Sequence, residues 1–216
     1  MYKINFDDGS QLSPTKIIGV GLNYAAHIEE MNNTKPSEPV LFIKPVTSLC
    51  DINKALSIPK DMGSVHHELE LAVAIARKCS RVKKEEAVDY IAGFGIALDL
   101  TLRDLQSIAK SKGRPWSVAK GFDNSCPVSS FYKKRLNDLS DNQITLKLNG
   151  SVKQSSRTSL MLFKVDELIH YISKIFTLLP GDIIITGTPS GVGPLSSGDT
   201  IEAEIENLAS AKTHVI

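Results

Sequence analysis

The stretch 65-VHHELELAVAI-75 decides how the rest of the chain is read. As a β-strand it alternates, with Leu69, Leu71, Val73 and Ile75 on one face and Glu68, Glu70, Ala72 and Ala74 on the other. Side chains two apart on a strand project the same way, roughly 7 Å from each other at the backbone. Two carboxylates that close repel, and taking each out of water costs several kcal/mol. A buried pair therefore calls for a cation between its members, or a shared proton.

A second apolar segment, 94-FGIALDLT-101, carries Asp99 among Ile96, Leu98 and Leu100. Asp is depleted in strands, so its presence there asks for a reason. Three oxygen donors and no thiolate suit Mg2+, Mn2+ or Ca2+ better than zinc. Taken alone, Glu-x-Glu on a strand more often marks the solvated face of an antiparallel sheet than a metal site. Sequence also does not show that the two strands meet. His66 has the parity of the two glutamates and is a further candidate, more readily for hydrogen bonding or packing than as a ligand. His67 points the opposite way and reads as structural.

Outward from these strands, 16-KIIGVGLNY-24 reads as a short buried strand ending in a Gly-containing turn, followed by about two helical turns over 24–33. A Pro-rich loop, 34-TKPSEP-39, leads to the apolar strand 40-VLFIKP-45, closed by Pro45. Residues 83–93 read as a helix with Gly93 near its C-terminal end, and 101–113 as another. Strands follow at 143–150, 182–187 and 199–207, interrupted by a helix at about 165–176 with Ile169, Ile172, Ile175 and Phe176 on one face. Strands dominate and helices are peripheral, which predicts an α+β fold with a largely β core. No linker or repeat divides residues 1–216, so one domain is expected, with a short lead-in at 1–15.

The totals narrow the function. With 25 Lys+Arg against 24 Asp+Glu, the chain offers no electrostatic case for nucleic acid or an anionic membrane. Cys50, Cys79 and Cys126 are odd in number and form no CxxC pair, as expected of reduced thiols in a cytoplasmic protein. The start, MYKINFDDGS, is not built as a signal peptide, and no run approaches the roughly 18 apolar residues of a membrane span. A soluble protein is expected.

Five motifs then carry a resemblance: 19-GVGLNYAAHIEEM-31, 66-HHELEL-71, 98-LDLTLRDLQ-106, 116-WSVAKGFDNSCP-127 and 185-ITGTPSGVG-193. In this order they resemble the fumarylacetoacetate hydrolase superfamily, in particular its small single-domain acylpyruvase and oxaloacetate decarboxylase/tautomerase group. The resemblance implies a mixed β-roll or β-sandwich, a homodimer, and one Mg2+ or Mn2+ held by Glu68, Glu70 and Asp99. It implies small 2-oxo acid substrates with a β-carbonyl, whose reaction passes through an enolate that a Lewis acid stabilises.

By the same resemblance Lys120 adds positive charge at the enolate oxygen, Arg103, Gln106 and Thr188 face the substrate, and His27 with Glu30 activates water. Read from the residues alone, Lys120 is a surface lysine and Arg103 with Asp104 a solvated helix face or ion pair. His27 and Glu30, three apart on a short helix, would be a surface pair, and 186-TGTPSGVGP-194 a turn lacking the ending of a phosphate loop. The segment 22–38 is composed as a lid edge would be. Leu22 departs from the closest animal-type relatives, which carry Arg there, although other bacterial-type members have Leu. Acylpyruvate hydrolysis, oxaloacetate decarboxylation, oxaloacetate tautomerisation and isomerisation of a ring-cleavage product all remain open, as does a non-catalytic binder of divalent ions or organic acids.

Overall fold

The computed structural model describes residues 2–216. Its centre is a mixed seven-stranded sheet in the order Val40–Lys44, Ile17–Gly21, Ile183–Ile185, Leu69–Ile75, Ile91–Leu98, Cys126–Val128 and Leu49–Asp51. Two neighbouring pairs run parallel, Ile17–Gly21 with Ile183–Ile185 and Cys126–Val128 with Leu49–Asp51. A four-stranded antiparallel sheet is built from Ser151–Arg157, Gln143–Leu148, Thr200–Ile205 and Ala209–His214. A small three-stranded sheet joins Gly193–Pro194, Val65–His67 and Thr101–Leu102. Helices are few and lie at the margins: α1 (Ala25–Glu30), α2 (Arg103–Ser111), α3 (Ser117–Lys120) and α4 (Val165–Ile175). The α+β class read from the sequence is the class observed.

The alternation in the decisive strand sorts two cores. Leu69, Leu71, Val73 and Ile75 enter the larger one, with Ile169 and Ile172 of α4. Ala72 and Ala74 face a smaller one, filled by Ile4, Phe6 and Phe131. Ile4 and Phe6, from the lead-in, help close the second face of the sheet. Large side chains on one face and alanines on the other fit a sheet covered on both sides.

Several local expectations are corrected. The strand does not run unbroken from 65 to 75; it divides at Glu68, with Val65–His67 pairing in the small sheet and Leu69–Ile75 in the large one. Residues Lys84–Tyr90 form a 3-10 turn rather than an α-helix, and the next strand begins at Ile91. Gly93 lies inside that strand, where a Cβ would come within 2.9 Å of the carbonyl oxygen of Tyr132, so its small size serves a close approach and not a helix end. Thr101 and Leu102 are extended, and α2 starts only at Arg103. Ile175, expected on the buried stripe of α4, is 54% exposed because the helix ends there.

Candidate active site

The antiparallel register of Leu69–Ile75 with Ile91–Leu98 pairs Leu69 with Leu98 and Glu70 with Ala97. One residue further on, the Asp99 N–H donates to the Glu68 carbonyl at 2.8 Å, so both acids lie at the same end of the sheet. Carboxylate oxygens of Glu68, Glu70 and Asp99 all fall within 4.8 Å of one another, and all three residues are buried.

Cations surround the acids. Lys120 Nζ donates to Glu68 Oε2 at 2.9 Å and to Thr101 Oγ1 at 2.7 Å, and also contacts Asp99 Oδ2. Arg103 Nη2 contacts Glu68 Oε1, while its Nη1 donates to Gln106 Oε1 at 2.6 Å. From beneath, Lys44 Nζ lies 2.7 Å from Asp99 Oδ1 and donates to the carbonyls of Lys120 at 2.5 Å and Ser125 at 2.9 Å. The Lys44–Asp99 approach is a charge contact at an angle unsuited to hydrogen bonding, so Asp99 Oδ1 is buried with no donor.

These surroundings split the two glutamates. Burial pushes the Glu68 carboxyl up, but Lys120 and Arg103 outweigh it and hold it below the usual range. Glu70 goes the other way: burial, then the charges of Asp99 and Glu68, raise it well above its ordinary value. Its Oε2 also accepts from the Gly187 N–H at 2.6 Å. Burial lowers the Lys120 ammonium, and Asp99 and Glu68 more than restore it, so Lys120 stays charged at neutral pH.

Three clustered, buried carboxylates, one of them with its pKa raised, form an all-oxygen donor set suited to a hard divalent cation. Because Glu70 holds a proton, binding such an ion releases it, and the apparent affinity is expected to rise about tenfold per pH unit below the raised Glu70 pKa. The sign for the metal-free fold is opposite. The stability linked to Glu70 is fully present below its ordinary value of 4.5 and is lost as pH rises through the raised folded value. Calorimetric titration with Mg2+ and thermal melts over the same pH series test both signs.

The other predicted residues gather round the same pocket, with different degrees of freedom. His27, Arg103, Gln106, Lys120 and Thr188 all line it. His27 Nδ1 pairs with Glu30 Oε2 at 3.0 Å, and Glu30 Oε1 accepts from the Gly191 N–H at 2.9 Å. With Nδ1–H directed at the carboxylate, the imidazole keeps Nε2 as a base. Thr188 Oγ1 donates to the Leu69 carbonyl at 2.9 Å and accepts from Gln154 Nε2 at 2.7 Å, so its proton is already committed to the backbone. Asp104 does not pair with Arg103; it accepts from the Ser64 N–H at 2.9 Å. His66 does not line the pocket: the break at Glu68 uncouples its parity from that of the glutamates, and it pairs with Thr101 and Pro194 instead. His67 is buried with Nδ1 3.3 Å from Gln154 Oε1, as a structural histidine would be.

Gly191 ties this arrangement to the hairpin beside it. Its φ is +95°, and a Cβ would lie 1.8 Å from the Lys153 carbonyl oxygen. Gly191→Ala is therefore expected to cost at least about 2 kcal/mol, from the left-handed backbone and the clash together. A calorimetric Tm within 1 °C of the parent, roughly, would contradict this, since each kcal/mol shifts Tm by about 2–4 °C at this size.

Reading the sequence missed Lys44, Thr101 and Gln154. A lysine inside the apolar strand 40-VLFIKP-45 is the signal that marks Lys44. Leu22, a non-glycine residue at φ +59°, also lines the pocket, beside Met31, Phe42 and Trp116.

Comparison with known proteins agrees with this geometry. A family model described as fumarylacetoacetate (FAA) hydrolase C-terminal matches residues 16–216. The chain is 51% identical over 189 residues to an oxaloacetate tautomerase of Escherichia coli, covering 87% of this chain and 86% of that protein. It is 45% identical over 195 residues to a mitochondrial oxaloacetate decarboxylase of Dictyostelium discoideum, covering 89% of each. A crystal structure of fumarylpyruvate hydrolase from Pseudomonas aeruginosa, in complex with Mn2+ and pyruvate, superposes with a TM-score of 0.93 at 30% identity, covering all of this chain and 95% of that one.

Proposed function

The chain belongs to the fumarylacetoacetate hydrolase C-terminal family, and on that premise we propose that it is a divalent-metal-dependent enzyme acting on small 2-oxo acids with a β-carbonyl. The observation that carries this is the convergence of Glu68, Glu70 and Asp99 in a pocket that also holds a His–Glu pair and a buried lysine. A Mg2+ or Mn2+ ion held by the three acids would act as a Lewis acid on the keto group of the substrate. The Arg103 guanidinium and the Gln106 amide line the pocket and offer donors for the substrate carboxylate. Lys120 commits its donors to Glu68, Asp99 and Thr101, so it acts through its charge, favouring negative character on the keto oxygen.

His27 Nε2 takes the proton. Removing one from the carbon between the two carbonyls gives keto–enol tautomerisation. Removing one from water lets the oxygen attack the distal carbonyl. The C–C bond beside it then breaks, its electron pair passes into the enolate of the 2-oxo acid, and the proton taken by His27 returns to the enolate carbon. Decarboxylation needs neither step, because the electrons of the breaking bond flow into the polarised keto group. The names of the relatives favour oxaloacetate as a substrate. The solution form is proposed to be a homodimer in the cytoplasm; the exposed Ile43 on the edge strand Val40–Lys44 supports a partner there, and light scattering tests it. Among the described residues, no helix is long and apolar enough to cross a membrane.

Oxaloacetate and acetylpyruvate followed by ultraviolet absorbance with Mg2+, and then with EDTA, test the reading. Metal-dependent turnover is expected; loss of neither substrate, in protein shown to bind Mg2+, would favour a simple binder. Within the active enzyme, His27→Ala is expected to lower kcat for acetylpyruvate hydrolysis by about 100-fold or more, the usual scale for losing a general base. Oxaloacetate decarboxylation should fall far less. Equal losses in the two would assign His27 to binding or folding instead.

A further inference from the structure

Among the described residues, the pocket contains one lysine or arginine with no carboxylate partner. Arg103 is matched to Glu68, Lys120 to Glu68 and Asp99, and Lys44 below them to Asp99. Lys110 also lines the pocket, yet its Nζ meets only the neutral side chain of Asn33, donating to Oδ1 at 2.8 Å. Lys110 is exposed at the protein surface, so its two remaining donors face solvent and are free to meet an anion. Partial burial and the nearby Arg103 charge hold its ammonium below the ordinary pKa.

The position of Lys110 is set by the helix. Arg103, Gln106 and Lys110 are spaced i, i+3 and i+7 on α2 and share one face. The stripe begins at Glu68, which Arg103 touches, and ends at the pocket mouth, where Asn33 approaches from the segment after α1. A 2-oxo acid whose head lies by the three acids thus directs its far end along the stripe toward Lys110. Leu22, Met31 and Trp116 also line the pocket. An ammonium without a carboxylate partner, beside a side-chain amide, suits a terminal carboxylate better than a methyl group.

We propose that Lys110, with the Asn33 amide beside it, is the subsite for a second carboxylate, so that the preferred substrates are dicarboxylic 2-oxo acids and not acylpyruvates with an uncharged tail. This rests on the head-group placement proposed above and adds the residues that choose between substrates. Lys110 is a specificity-determining residue; the proton transfers do not involve it.

The test compares malate with lactate, inert 2-hydroxy acids with and without the distal carboxylate, by calorimetric titration of the Mg2+-loaded protein. Malate is expected to bind at least about tenfold tighter than lactate, on the scale of a charge-assisted hydrogen bond. Lys110→Gln, which keeps the stem length and helix propensity, should erase that preference, and Lys110→Arg should keep it. In kinetics, the ratio of KM for oxaloacetate to KM for acetylpyruvate should rise about tenfold in Lys110→Gln while kcat for oxaloacetate changes little. A parent protein that does not distinguish malate from lactate, or a Lys110→Gln variant that still does, would overturn the assignment. Absence of turnover by the parent would overturn the catalytic reading instead, and the binding comparison would still report on the subsite.

Discussion

Replacing Glu70 by Gln is expected to abolish metal-dependent turnover while leaving the metal-free fold at least as stable as the parent at neutral pH, because Gln escapes the loss of stability that the raised Glu70 pKa brings. The two halves have one cause. Burial, Asp99 and Glu68 keep Glu70 protonated in the metal-free protein, so a neutral amide of the same shape replaces a neutral carboxyl. Its oxygen can still accept from the Gly187 N–H. The amide cannot shed a proton to meet a cation, however, and it carries no charge to hold one. Disturbing even the outer hydrogen-bond partners of a metal ligand costs about 10–100-fold in affinity or activity, so loss of a ligand should exceed 100-fold, roughly. Calorimetric Mg2+ titration and a thermal melt read the two halves separately. A variant that binds Mg2+ normally would remove Glu70 from the ligand set.

Asp99→Ala should behave in the opposite way, costing stability as well as activity. Among the described residues, the Asp99 carboxylate is the only carboxylate in contact with Lys44 and one of two in contact with Lys120, and all three side chains are buried. Removing it strands ammonium charge in a low-dielectric interior, for which losses of about 3–5 kcal/mol are typical. At this chain length that corresponds to a fall in Tm of roughly 10 °C. A second replacement, Lys44→Met, in the Asp99→Ala background should recover part of the loss, because the stranded charge goes with it. If Asp99→Ala melts with the parent, the charge contacts around Asp99 are not holding the fold.

What the sequence reveals and what it hides follow from range. The alternation of Leu69, Leu71, Val73 and Ile75 is a local property, and it correctly sorted the two faces of the central strand. The two glutamates and Asp99 stood out because acids are costly among apolar neighbours, and they do converge. Their convergence depends on the pairing of Leu69 with Leu98, a contact across 29 residues that no local pattern encodes. The interruption at Glu68 was invisible for the same reason: it arises because Val65–His67 is claimed by partners in another sheet.

Gly93 shows the converse error. Its neighbours have helix-compatible composition, and only the approach of Tyr132 from a distant segment explains a glycine within a strand. Lys44 was overlooked because a lysine is ordinarily solvated. Its five polar neighbours come from residues 99 to 125, and only the folded chain collects them. The roles of His27, Glu30, Lys120, Arg103, Gln106 and Thr188 were suggested by resemblance, since each residue alone reads as ordinary surface. Folding brings all but Glu30 to the pocket wall, with Glu30 held behind His27.

Crystals of the protein grown with Mn2+ and oxalate, examined by anomalous diffraction at an energy that identifies manganese, test the central claim most directly. One peak per chain is predicted, at about 2.1 Å from an oxygen of each of Glu68, Glu70 and Asp99. A manganese peak elsewhere, or one that touches the glutamates while Asp99 stays turned away onto its lysines, would contradict the account.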